Sequence, residues 1–168
     1  VTLHKCFELF SSEEILDGDN LWYCPKCKEH REGRKRMQFW SLPPLLVVHL
    51  KRFSAQGTWR RKLDTPVDFP IDCVDLTQYA LCHQSPDAER DIYDLHAVSN
   101  HFGSTGGGHY TAFAKNSESK CWYKFDDSHT SYVPDPATVV TPAAYVLIYV
   151  KRGFAERIPS TPSLLDPA

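Results

Sequence analysis

The stretch GGGHYTAFAKNSESKCWYKFDDS at 106–128 decides the architecture. Two short β-favouring runs, YTAFAK (110–115) and CWYKFD (121–126), flank the polar residues Asn116, Ser117, Glu118 and Ser119, a pattern that predicts a β-hairpin with a four-residue loop. Pairing Lys115 with Lys120 sets Ala112 opposite Tyr123, Phe113 opposite Trp122 and His109 opposite Asp126. Directly opposed residues hold their Cβ atoms about 4.5–5.5 Å apart, close enough for an imidazole and a carboxylate to hydrogen-bond. This register assigns Tyr110, Ala112, Ala114, Cys121, Tyr123 and Phe125 to an apolar core face. His109 and Asp126 fall on the opposite face with Phe113 and Trp122, and a slip of one residue would part them.

A carboxylate bound to one ring nitrogen fixes the tautomer of histidine and stabilises the imidazolium, leaving the other nitrogen free to take a proton from a nucleophile. The three glycines before His109 permit unusual dihedrals and leave room for another chain to pass closely. Spacing alone leaves two readings open: half of a catalytic site, or a flexible glycine loop beside a surface histidine.

Further motifs follow in order along the chain: CPKC at 24–27, LPPLLVVHLKRF at 42–53, VDFP at 67–70, YDLHAVSNH at 93–101, GGHYTA at 107–112, WYKFDDS at 122–128 and AYVLIY at 144–149. Together they make the chain resemble the ubiquitin-specific proteases, papain-like cysteine proteases that remove ubiquitin from substrates, over residues 1–153. The resemblance implies an α+β papain-like fold, represented mainly by its antiparallel β palm with part of the zinc-ribbon fingers. It matches His109 to the catalytic histidine, Asp126 to the acidic residue that orients it, and Asp127 to a supporting acidic position. Gly107, Gly108 and Tyr110 correspond to the channel that receives the ubiquitin C-terminus. Loops over that channel correspond to Ser54–Asp64 and Asn100–Gly107.

The family's nucleophilic cysteine lies in a box resembling G-L-x-N-x-G-N-x-C, and no such string occurs here. Cys6 reads as a small core residue, Cys121 starts a strand, and Cys73 and Cys82 lack the pattern. The expectation is therefore the C-terminal half of a larger catalytic domain, inactive without an upstream nucleophile. Cys24 and Cys27 have the spacing of one side of a tetrahedral zinc site, whose other two ligands the resemblance puts upstream. His30 and Cys6 are poorly spaced substitutes, and plain thiols in a tight turn are the alternative.

Composition accommodates this. The 168 residues with 42% hydrophobic content suit one core, and a net charge of −2 carries no nucleic-acid signature. The basic cluster Arg31, Arg34, Lys35 and Arg36 reads as a solvated face. The apolar run Leu45–Val48 is far too short for a membrane span, and the six unpatterned cysteines fit a reducing cytoplasmic or nuclear compartment. Helical spacing of Leu3, Cys6, Phe7, Phe10, Ile15 and Leu16 predicts helix over 2–16, interrupted near Ser11 and Ser12. Strands are predicted at 45–53, 92–99, 110–115, 121–126 and 144–150, irregular connections at 54–70 and 82–91, and a disordered tail over 154–168. His49 reads as a structural histidine and Trp122 and Tyr123 as hairpin packing.

Two readings from other classes remain: a non-catalytic ubiquitin-binding or scaffolding module, and a small zinc-ribbon domain, which leaves the histidine hairpin unexplained. For the enzyme, ubiquitinated proteins are the substrates and the N-terminal half of the same catalytic domain is the partner.

Overall fold

The computed structural model describes residues 1–56, 59–83, 90–104 and 106–154. Among the described residues one α-helix, α1 (Leu3–Phe10), precedes thirteen strands: β1 (Glu13–Leu16), β2 (Trp22–Cys24), β3 (Glu29–Arg31), β4 (Gly33–Arg36), β5 (Leu45–His49), β6 (Phe53–Gln56), β7 (Trp59–Lys62), β8 (Val74–Asp75), β9 (Ile92–Ser104), β10 (Gly107–Lys115), β11 (Trp122–Asp126), β12 (His129–Val133) and β13 (Ala144–Lys151). Six form a path β12-β11-β10-β9-β13-β5, with β8 added against β9 as the seventh strand of the sheet. Every strand pair is antiparallel, consistent with the α+β class.

The helix is shorter than its periodicity predicts. Thr2 caps its start by accepting from the Lys5 N–H, and Ser12 Oγ donates to the Leu9 carbonyl at its end. Ile15 and Leu16 lie in β1, where Glu13 faces Arg36 and Glu14 faces Lys35. Glu13 also pairs with Arg34 at 2.9 Å and Glu14 with Lys35 at 3.6 Å, so cross-strand charge complementarity outcompetes helix continuation. Leu3 and Phe7 bury the helix against the core, with the Phe7 ring 5.1 Å from Tyr79 and 5.9 Å from Phe39.

All five strands predicted from β-propensity are present, but the first ends early at His49. Arg52 turns inward and is almost fully buried, donating to the carbonyls of Ala144, Leu63 and Thr65 at 2.7, 3.0 and 2.8 Å. These three bonds offset part of the desolvation of its charge, while Nη2 is buried without a hydrogen bond among the described residues. The expected loop at 54–64 is instead the hairpin β6–β7, with Gly57 and Thr58 outside the described residues. Likewise Asn100–Ser104 continues β9 rather than forming a loop. Of the expected tail, only Phe154 lies within the described residues.

The central hairpin forms in a register shifted from the predicted one. Lys115 faces Trp122, Phe113 faces Lys124 and Ala112 faces Phe125. Asn116 N–H bonds to the Cys121 carbonyl at 2.8 Å, which moves the four-residue loop one position along, to Ser117–Lys120. The cause is local: Asn116 Oδ1 accepts from the N–H groups of Glu118 and Ser119, an Asx turn, and Lys120 takes a left-handed φ of 58°.

That two-residue change in pairing preserves which side chains share a face, but the buried face is the reverse of the one predicted. Trp122 is buried and Phe113 packs on the core, whereas Tyr110 and Phe125 are exposed at 54% and 41%. The deciding neighbour is β9, where Phe113 faces the fully buried Val98, itself opposite Leu147 of β13. The His109 and Asp126 face is thus the core face continued to its open end.

Candidate active site

β10 is held by β9 along its length, with His109 opposite Phe102, and by β11 only from Ala112 onward. His109 therefore projects past the β10–β11 ladder and reaches Asp126 diagonally. Diagonal partners on one sheet face lie about 7–8 Å apart at Cα, within reach of long side chains. Asp126 is the last residue of β11, paired with His129 across the tight turn to β12. Asp127 occupies that turn with φ 49°, a left-handed position that aspartate tolerates.

His109 Nε2 and Asp126 Oδ1 are 2.7 Å apart, both side chains being about half exposed. A carboxylate only accepts, so Nε2 carries the proton, and in the neutral ring Nδ1 holds the lone pair. The hydrogen bond to Asp126 raises the pKa of His109, with the Asp127 charge acting in the same direction and Lys124 against it. Asp126 is held below its ordinary carboxylate value, first by His109 and then by Lys124. Lys124 Nζ lies 3.0 Å from Asp126 Oδ2, so the two oxygens have different partners. Asp127 completes the group: one donor atom from each of His109, Asp126 and Asp127 lies within 4.8 Å of the others. No cysteine sulfur belongs to that group among the described residues.

The glycines act differently from expectation. The positive φ belongs to Gly103, at 105°, and none of Gly106, Gly107 and Gly108 shares it. Gly108 serves by its lack of a side chain: a Cβ there would collide with His101 Nε2 and the Phe102 carbonyl oxygen. Open space surrounds the corresponding position of Gly107. Tyr110 is exposed and its ring tilts against His101 at 4.7 Å, which in turn contacts Phe53 and Tyr145. The predicted residues His109, Asp126 and Asp127 thus converge, with Gly107, Gly108 and Tyr110 on the same strand. Sequence reasoning passed over Lys124 and His101. The period-2 alternation of β11 was the available signal for Lys124, since it puts residues 124 and 126 on one face.

Cys24 ends β2 and Cys27 lies in the turn before β3, both as free thiols. The backbone N–H groups of Cys27 and then Lys26 hydrogen-bond the Cys24 sulfur and lower its pKa. Amides aimed at a sulfur favour thiolate, the form a metal binds, so the pair fits half of a zinc site. His30 pairs with Tyr23 in the β2–β3 ladder.

A family model described as ubiquitin carboxyl-terminal hydrolase matches residues 16–149. Ubiquitin carboxyl-terminal hydrolase 15 of Homo sapiens is 51% identical over 152 residues, 90% of this chain and 15% of the relative. Ubiquitin carboxyl-terminal hydrolase 4 of Bos taurus is 48% identical over 167 residues, 99% of this chain and 17% of the relative. The chain thus spans about one-sixth of the length of the curated relatives it matches. Among solved structures, the SAGA module of Ubp8, Sgf11, Sus1 and Sgf73 bound to ubiquitin aldehyde superposes with a TM-score of 0.74 at 31% identity, covering 90% of this chain and 33% of that one. A yeast SAGA DUB module gives 0.73 at 31% identity with the same coverage. Motif order, sheet topology and these likenesses agree, and the chain belongs to the ubiquitin-specific protease family of ubiquitin carboxyl-terminal hydrolases.

Proposed function

We propose that this chain supplies the general base of a deubiquitinating thiol protease, which hydrolyses isopeptide and peptide bonds at the C-terminal glycine of ubiquitin. The observation that carries this reading is the 2.7 Å bond between His109 Nε2 and Asp126 Oδ1, which leaves Nδ1 as the ring nitrogen available to a nucleophile. The nucleophilic cysteine lies upstream, in the N-terminal half of the catalytic domain. His109 Nδ1 takes the thiol proton, and the thiolate attacks the glycine carbonyl to give an acyl-enzyme. The imidazolium then protonates the leaving lysine amine, and the neutral ring afterwards activates water for deacylation. Asp126 orients the ring throughout, with Asp127 adding negative charge beside it. Gly107, Gly108 and Tyr110 line the approach of a terminus that has no side chains of its own.

Cys24 and Cys27 would contribute two of four ligands to a structural zinc, with the remaining two upstream. Bound there, the metal would cross-link the β2–β3 finger to the preceding half. Six cysteines without a disulfide spacing pattern favour a reducing cytoplasmic or nuclear setting. Lacking the nucleophile box, the chain by itself is expected to be inactive.

The test is reaction of the full-length natural protein, and of this chain alone, with ubiquitin bearing a C-terminal thiol-reactive group. Labelling of the longer protein alone is expected. Ubiquitin binding by the longer protein without labelling would instead favour a non-catalytic binding module.

A further inference from the structure

Asp126 is held from two sides. Oδ1 faces His109 Nε2 at 2.7 Å and Oδ2 faces Lys124 Nζ at 3.0 Å. Lys124 reaches this oxygen because it stands two residues before Asp126 on β11, on the same face, directly opposite Phe113 of β10. Its side chain is 39% exposed, so the contact is a partly solvated ion pair.

Asp126 ends its strand and His109 projects beyond the β10–β11 ladder, so the carboxylate torsion is not set by strand pairing between these two residues. Terminal sp³–sp² torsions of aspartate are broad, and a carboxylate with one partner turns freely about it. A second cation on the other oxygen narrows that torsion. We propose that Lys124 is a positioning residue for the catalytic pair: its ammonium holds Asp126 Oδ2 and so fixes the rotamer in which Oδ1 faces His109 Nε2.

Asp126 and Asp127 face the ring from β11 and the turn after it, β9 contributes the uncharged Phe102 opposite, and Lys124 is the cation beside Asp126.

The inference rests on His109 acting as base in the proposed hydrolysis, so one readout is independent of turnover. In the full-length protein with ring-labelled histidine, the His109 resonance is assigned by its loss in His109→Gln and titrated in wild type, Lys124→Met and Lys124→Arg. Loosening Asp126 Oδ1 from the ring weakens the hydrogen bond that raises the His109 pKa, so Lys124→Met is expected to move the midpoint to lower pH, with Arg restoring it. In parallel, Lys124→Met is expected to lower kcat on a ubiquitin C-terminal amide roughly two- to fivefold with KM unchanged, the scale of one exposed ion pair. Arg should recover this too. Wild-type midpoint and kcat in Lys124→Met would overturn the proposal, as would equal loss in the Met and Arg variants. A wild-type protein with no turnover would overturn the hydrolase reading, while the titration would still decide whether Lys124 acts on the pair.

Discussion

His109 carries a proton-binding problem that its neighbours solve jointly. Asp126 raises its pKa and His109 lowers that of Asp126, so the charged pair is complete between the lowered carboxylate value and the raised imidazole value. Its stabilising contribution is lost as pH falls through the former or rises through the latter. An Asp126→Asn variant should accordingly move the His109 NMR titration to lower pH, and an unchanged midpoint would show that the hydrogen bond is absent in solution. Catalytically, the same change should cost about 10²–10⁴ in kcat, the range seen when a histidine base loses its orienting carboxylate or its proton-transfer role. Gly108 is the second residue of consequence. Because a methyl there meets both the His101 ring and a backbone oxygen, Gly108→Ala should destabilise by about 1–3 kcal/mol in urea melts. Wild-type stability would mean that the β9–β10 arm yields more readily than its packing implies.

Hairpin β10–β11 is the element on which the site depends, and its two faces make opposite demands. Trp122→Ala should cost about 3–5 kcal/mol, whereas Phe125→Ala, on the exposed face, should cost under about 1 kcal/mol in the same denaturant series. Reversed costs would restore the face read from the sequence. That reading failed because both faces carry apolar residues, and counting six on one face ignored that Trp122 outweighs two alanines in burial. Val98 decides the matter, and its pairing with Phe113 is a long-range fact invisible to alternation. The register was misplaced through the side chain of Asn116, which claims the turn amides. The His109–Asp126 contact survived the error because a two-residue shift keeps both on one face and turns a direct pair into a diagonal one. Five strands were legible from β-branched and aromatic content, but the short ladders β1–β4, β2–β3 and β6–β7 were not. These strands are only three or four residues long and mix charged residues with apolar ones such as Ile15, Leu16 and Trp22, so no alternation stands out and cross-strand pairing makes them strands.

At the scale of the molecule, the sheet leaves β5 as an edge whose Leu45 and Val47 are half exposed. An apolar groove of about 570 Å³ lies beside it, lined by Phe7, Phe10, Leu46, Val48 and Val67 among others. The separate β2–β3 hairpin presents Cys24 and Cys27. In the full-length protein, zinc content by atomic absorption should be one per chain and should fall on Cys24→Ser or Cys27→Ser, with a lower melting temperature. Unchanged metal and stability would assign the thiols no ligand role. The most direct test of the whole reading is turnover of a ubiquitin C-terminal amide by full-length protein, wild type against His109→Gln, with ubiquitin affinity measured on both. A loss of at least about 10³-fold in kcat with affinity within about twofold is expected if the ring is the base. Turnover by the variant within about tenfold of wild type would remove His109 from the mechanism.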